Sequence, residues 1–407
     1  MNKEAKEFIK KAYKKVPLYV NLAHEFDINI DMFEHIDSLP LIEKEQVMLN
    51  DTIIASDAIP LLYKNELILT RTSGSTGKYL DVYWKKQDYN KSLLPLWLLR
   101  KKYYNINPGD KMCFFYTILQ LENEQDTCLI DNQLGFSKSK LDMESLKEVY
   151  LQMLEFRPKW IMLQPSIGLL LCQCIDKYGL DKIDTLEYIE MSGEILTDEI
   201  KSEVEKHFKC KIANQYGTNE VNSIAFECPE GNMHLMESNL IVEIVKDGNV
   251  VSDGEEGHIY VTTLTNSVMP LIRYNTGDIG KVIDSDCKCG RKHKILELTS
   301  GRANDYILCE DESKMSSYVF VRAIDAVNYR CDVIIKQFKI TQTDINEFEV
   351  VFVVDEDDLD QGEEIAYMFI HDIRDERLKN AKYSFEYRTH ILPQEKNGKY
   401  MYFSRKM

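Results

Sequence analysis

From about Leu67 the pattern of apolar positions becomes mixed α/β, and it is clearest from residue 141 onward. Leu146, Val149, Tyr150 and Met153 recur at three- and four-residue steps across Leu141–Phe156, which predicts a helix with Asp142 as a candidate N-cap. Ile161–Leu163 reads as a short strand, and Ile167–Ile175 as an apolar helix. Leu186–Glu190 is the next strand, closed by the turn Ser192-Gly193-Glu194. Thr197–Phe208 reads as a capped helix with Ile200, Val204 and Phe208 on one stripe, and Lys211–Ala213 opens another strand. Strand, turn, helix and strand in that order signal parallel α/β layers.

The flanks read differently. Lys3 to about Asn50 is polar and helical, with breaks at Pro17 and Leu39-Pro40. After Glu237, the runs Leu240–Val245, His258–Leu264 and Gly280–Asp284 are short, β-rich and separated by Gly and Asp turns, as in a smaller β subdomain. Beyond Gly301-Arg302 come an apolar strand, Phe348–Val354, an acidic loop, Asp355–Glu364, and a helix starting near Glu363. The acidic loop reads as a solvated turn. The whole is an α/β chain. It has a large N-terminal domain, 1–301, of layered mixed sheets and helices with a β subdomain at about 222–300. A small α+β C-terminal domain, 302–407, completes it.

Composition narrows the partners. A chain of 407 residues with 44% hydrophobic side chains can build two or three cores. A net charge of −17 disfavours a nucleic-acid or membrane-surface binder, which needs a basic face, but leaves room for a basic nucleotide pocket. No apolar run reaches the roughly 20 residues that span a bilayer. The Lys-rich start, Met1 to Val16, lacks the apolar stretch of a signal peptide, so the expectation is a soluble cytoplasmic protein. Ten cysteines are too sparse for a disulfide framework, so clustered ones read as metal ligands and scattered ones as core. Cys172 and Cys174, in an apolar helix, are expected in the core. Cys113, Cys128, Cys210, Cys309 and Cys331 suggest no pairing.

Five segments carry candidate chemistry. Thr72-Ser73-Gly74-Ser75-Thr76-Gly77-Lys78 follows an apolar run and offers amides and hydroxyls to an anion, although it lacks Walker spacing. Asn214-Gln215-Tyr216-Gly217-Thr218-Asn219-Glu220 follows a strand. Its ring can stack on a base, and its carboxylate can hold Mg²⁺ on phosphates. Arg273-Tyr274-Asn275-Thr276-Gly277-Asp278 and Gly301-Arg302-Ala303-Asn304-Asp305 supply an Asp for ribose hydroxyls and an Arg donor. Gly398-Lys399 adds a late lysine. Each alone is also compatible with an ordinary loop. Separately, Cys228, His234, Cys287 and Cys289, in Gly- and Pro-rich turns, form a complete tetrahedral zinc set, or else four unrelated side chains of the β subdomain.

In their order and spacing these motifs resemble the adenylate-forming ligase superfamily. Within it, the chain is similar to the phenylacetate–coenzyme A ligase family and its capsule-biosynthesis, CapK-like relatives. The resemblance begins at Val16-Pro17-Leu18-Tyr19 and Leu39-Pro40-Leu41-Ile42-Glu43-Lys44 and runs to the terminal lysine. It implies that Thr72 to Lys78 wraps the ATP β- and γ-phosphates. Tyr216 would stack on adenine, Asn214 would face its amino group and Ser192-Gly193-Glu194 would line its other edge. It also implies Mg²⁺ on Glu220, ribose on Asp278 with Arg302 beside it, a hinge at Asp305, and Lys399 swinging in from a mobile lid domain. Structural zinc on the Cys/His set has the same support.

The implied activity is ATP-dependent conversion of a carboxylic acid to an acyl-adenylate, then transfer to a thiol, most naturally coenzyme A. A carrier-protein thiol or an amine is the alternative acceptor, and a non-catalytic nucleotide-binding scaffold is a third reading. The resemblance also suggests a homodimer. Phe114–Leu121, Leu163–Ile167 and Met191–Glu194 are expected to shape a pocket for a flat or medium-sized acid. The chain departs from the family at Asn219, where many relatives have a second Thr, at Asn275, where an Arg is common, and at Tyr79-Leu80, where a Pro-containing run is usual.

Overall fold

The computed structural model describes residues 1–47, 52–71, 80–116, 127–138, 143–284, 286–300, 306–310, 314–317, 319–320, 323–324, 327, 330, 335, 337–373, 376–378, 380–389 and 402–406. Contacts divide the chain into two compact units. The first joins Met1–Pro108 to Ala213–Thr299, and the second joins Gly109–Ile212 to Ser300–Met407.

The first unit begins with helices Lys3–Lys15 and Pro17–Glu25. The Asn2 side chain caps the first by accepting from Ala5 N at 2.8 Å, and Pro17 starts the second, where a missing N–H costs nothing. Ile9, Ala12 and Tyr13 turn inward into a core that also takes Trp84, Ile224, Val261 and Ile272. A long helix, Lys86–Tyr104, has no counterpart in the sequence reading. Its pattern is blurred because Leu94 and Leu98 are exposed and Pro95 lies inside it.

The sheet of this unit runs in the order Asn249–Val250, Leu240–Lys246, Gly257–Thr263, Tyr274–Ile283, Ile295–Ser300, Met233–Leu235, Asn222–Glu227 and Lys211–Thr218. The β-rich runs expected after Glu237 are therefore strands. The third begins earlier than expected, at Tyr274 rather than Gly280. A separate hairpin pairs Ile68–Arg71 with Asp81–Trp84, Arg71 opposite Asp81, and so brackets the Ser/Thr/Gly-rich loop.

In the second unit, Tyr188–Ser192, Trp160–Leu163, Met112–Tyr116 and Gln133–Ser137 pair in parallel, and Thr127–Ile130 closes the edge antiparallel. Helices Met143–Phe156, Pro165–Tyr178 and Asp198–Phe208 match the three expected from periodicity. Thr197 Oγ1 caps the last by accepting from Ile200 N. Their stripes bury Leu146, Tyr150, Met153, Val204 and Phe208 with Cys172 and Cys174, the two cysteines expected in the core. A four-stranded sheet follows, in the order Lys382–Arg388, Glu347–Val353, Gln337–Asp344 and Phe403–Arg405. Phe320, Phe348, Phe352 and Phe369 fill its core against helix Gly362–Asp372. The acidic loop is mostly a 3₁₀ turn, Glu356–Gln361, leading into that helix.

Candidate nucleotide site and metal centre

The Asn214–Thr218 motif lies within a strand rather than after one. Lys211–Thr218 continues because it pairs antiparallel with Asn222–Glu227, with a bulge between Tyr216 and Gly217. Gly217 is required by close approach, since a Cβ there would sit 2.3 Å from the Asn222 carbonyl oxygen. At the end of the ladder the Asn214 N–H donates to Glu227 Oε2 at 2.7 Å.

Tyr216 reaches across the unit. Its hydroxyl donates to Asp278 Oδ2 at 2.6 Å, so two motifs 62 positions apart meet directly. Burial, and then the Asp278 charge, hold the phenol protonated well above its ordinary range. Asp278 is fixed from its own strand. Thr276 Oγ1 accepts from Asp278 N at 3.2 Å and donates to the Ile259 carbonyl at 3.0 Å. The strands carrying Tyr216 and Asp278 are four steps apart in the sheet order. In a flat sheet that is about 19 Å, too far for the two side chains to bridge, so this sheet must curl to close the pair.

Glu220 follows in the turn, buried at 7% exposure. Tyr274 donates to its Oε1 at 3.3 Å, and Lys44 Nζ lies 3.9 Å from the same oxygen. The segment bearing Lys44 is strapped to the Asp278 strand. Ile42 N donates to the Arg273 carbonyl, and Asn275 N donates to the Ile42 carbonyl. Arg273, buried and with positive φ, pairs with Glu243 through Nε at 3.1 Å and through Nη2 at 3.0 Å. It also donates to the carbonyls of Asp37 and Leu39. Asn275, which stands where the sequence comparison leads one to expect an arginine, donates to Glu43 at 2.9 Å. Thr70 Oγ1 donates to the Asn219 carbonyl at 3.3 Å, which brings the strand leading into the Thr72–Lys78 loop beside the Glu220 turn.

In the second unit, Ser192-Gly193-Glu194 forms the expected turn, with Gly193 at φ +85°. Glu194 caps helix Pro165–Tyr178, taking the Ser166 N–H on Oε2 and the Ser166 hydroxyl on Oε1, both at 2.9 Å. Of the segments expected to line an acid pocket, Phe115, Leu163, Ile167 and Met191 are packed into the hydrophobic core.

The metal set converges. The ligand atoms of Cys228, His234, Cys287 and Cys289 all lie within 4.8 Å of one another. Cys228 and Cys287 sulfurs are 3.7 Å apart, and Cys289 Sγ is 3.3 Å from His234 Nε2. A tetrahedral zinc with usual bond lengths puts sulfurs about 3.8 Å apart and sulfur and nitrogen about 3.6 Å apart, so the donor set fits. The surrounding bonds fit as well. His234 Nδ1 bonds the His293 carbonyl, which leaves Nε2 for a metal, while Asn232 Nδ2 and Arg291 N donate to the Cys287 and Cys289 sulfurs.

Thr72–Lys78, Arg302, Asp305 and Lys399 lie outside the described residues, as do Asp142, Cys331 and positions 117–121 of the expected pocket. The sequence reading assigned no role to Glu227, Lys44 or the Arg273–Glu243 pair. The one available signal was an arginine within the Asp278 motif; single residues such as Glu227 and Lys44 offered none.

No family model matches the chain. A phenylacetate–coenzyme A ligase of Thermus thermophilus is 25% identical over 95% of this chain and 85% of its own length. Protein CapK of Staphylococcus aureus is 25% identical over 90% and 79%. Among solved structures, 2-hydroxyisobutyryl-CoA ligase, in the postadenylation state in complex with 2-HIB-AMP, superposes with a TM-score of 0.78 at 14% identity. The match covers 98% of this chain and 87% of that one. The chain has the fold of these ligases. The same fold extends, at a TM-score of 0.56 over 82% of this chain and 68% of that one, to the amide bond synthetase McbA of Marinactinospora thermotolerans, 15% identical.

Proposed function

We propose that the chain is an AMP-forming carboxylate ligase, which activates a carboxylic acid with ATP and passes the acyl group to the thiol of coenzyme A. The observation that carries this reading is the Tyr216–Asp278 hydrogen bond, which joins the two motifs assigned to adenine and ribose, with Glu220 buried in the following turn. The Tyr216 ring would stack on the base, and Asp278 would take the ribose hydroxyls. The substrate carboxylate attacks the α-phosphorus. A carboxylate O–P bond forms, the bond to pyrophosphate breaks, and no protein base is needed because the acid is already ionised. Mg²⁺ on Glu220 would supply charge neutralisation on the phosphates. Thr72–Lys78 would hold the β- and γ-phosphates, with Arg302 at the ribose. Lys399 would stabilise charge in the transition state from a lid domain, 302–407, hinged at Asp305. The Cys228, His234, Cys287 and Cys289 centre would be structural zinc, since four protein ligands leave no open position for catalysis.

Pyrophosphate exchange over a panel of aromatic and aliphatic acids tests the reading. Exchange with at least one acid is expected, and thioester should form when coenzyme A is added. Lys399→Ala should abolish exchange while ATP still binds. Exchange without thioester would move the acceptor to a carrier protein or an amine. ATP binding with no exchange for any acid would leave the scaffold reading.

A further inference from the structure

The strand order places the metal centre between the two halves of the nucleotide site. His234 sits on Met233–Leu235, two strands from Tyr216 on one side and two from Asp278 on the other. The register connects it residue by residue. His234 pairs with Phe226, which pairs with Gln215; Leu235 pairs with Ala225, which pairs with Tyr216. At the edge of this ladder Met233 pairs with Glu227, and the Glu227 carboxylate, rather than a ladder carbonyl, takes the Asn214 N–H. Glu227 is buried at 7% exposure, and its chain neighbour is Cys228. The turn beyond is closed by Cys228 N to the Asn232 carbonyl and Gly231 N to the Cys228 carbonyl, both at 2.9 Å, with Gly231 at φ +79°. A metal on Cys228 would therefore fix the backbone from which Glu227 reaches the strand of Asn214 and Tyr216.

We propose that Glu227 is a positioning residue through which the Cys228, His234, Cys287 and Cys289 centre sets the geometry of the nucleotide site, an inference that rests on the reading of Tyr216 and Asp278 given above. The carboxylate anchors Asn214 and the strand that carries Tyr216. The metal centre anchors the carboxylate and the strands that curl to bring Asp278 within reach. Losing the Glu227 carboxylate frees the start of the Asn214–Thr218 segment without touching a metal ligand.

The test uses the full chain, with Glu227→Ala and Glu227→Gln, reading AMP affinity by calorimetry and zinc content by elemental analysis. Glu227→Ala is expected to keep the wild-type zinc ratio and to bind AMP about tenfold more weakly, because a charge-assisted bond to a backbone N–H is lost. Glu227→Gln keeps an acceptor and should recover most of the affinity, ending about threefold below wild type. AMP affinity unchanged in Glu227→Ala would overturn the proposal, as would a loss that simply tracks lost zinc. Should Glu227→Ala fail to fold, Glu227→Leu, which also lacks an acceptor, takes its place, and wild-type affinity in that variant would overturn it. A wild-type chain that binds no AMP would overturn the nucleotide reading itself, and this inference with it.

Discussion

The two units hold their candidate segments in place by different means. In the first, residues far apart in sequence meet through side chains across a curled sheet, as Tyr216 does with Asp278 and Arg273 with Glu243. In the second, the turn after a parallel strand closes locally on the next layer, where Glu194 caps the helix that begins at Pro165. The first design makes a site as stable as the curl itself, because no single strand contains it. The second makes a site as stable as one helix end. Disturbances of the Cys228, His234, Cys287 and Cys289 cluster or of the buried ion pair should therefore reach the first unit's motifs from a distance, while disturbances in the second should stay near the Ser192–Glu194 turn.

The largest effect should come from the Cys/His cluster, the proposed zinc ligands. Cys287→Ser, or a strong chelator, should lower stability by several kcal/mol and the Tm by about 10 °C or more, read by calorimetry. An unchanged Tm would mean that the curl holds without a metal. Next, Arg273→Met leaves the Glu243 carboxylate buried and unpaired, an expected loss of about 3–5 kcal/mol in urea unfolding. The double variant with Glu243→Met should regain most of it, and failure to do so would show that the arginine matters through the Asp37 and Leu39 carbonyls instead. Glu194→Ala should cost about 1–2 kcal/mol and leave zinc content unaltered.

Tyr216→Phe should have the smallest effect, weakening AMP binding severalfold through loss of one bond worth about 1 kcal/mol. Its pH dependence has a definite sign. The folded pKa is raised, by burial first and Asp278 second, so the contribution is fully present below the ordinary phenol value of about 10. It is lost only as pH rises through the folded value. Wild type and Tyr216→Phe should therefore differ by a constant factor from pH 7 to pH 9, and a difference that decays across that range would contradict the bond.

The parts legible in the sequence are those with a periodic or compositional signature. The three helices of the second unit followed from stripes such as Ile200, Val204 and Phe208. That Cys228, His234, Cys287 and Cys289 come together followed from thiols and an imidazole in tight turns. The Lys86–Tyr104 helix was not legible, because exposed Leu94 and Leu98 and internal Pro95 blur its apolar face. The motif at Asn214 read as a loop because glycine and polar side chains usually mark turns, whereas here Gly217 sits in a bulge of a strand. Glu227 and Lys44 were invisible for another reason. A single carboxylate or ammonium carries no pattern, and its meaning appears only once the ladder sets Asn214 beside one and Glu220 beside the other.

Glu194 has one more consequence. A helix amino end carries roughly half a positive charge and four unpaired N–H groups, which commonly attract phosphate. At Pro165–Tyr178 that end already faces an anion of the protein's own, whose two oxygens engage Ser166. An approaching polyphosphate would find its attraction there largely cancelled and a carboxylate in the way. The macrodipole of this helix is thus spent on holding the Ser192–Glu194 turn, and under the proposed function a triphosphate would have to be held by groups other than this helix end.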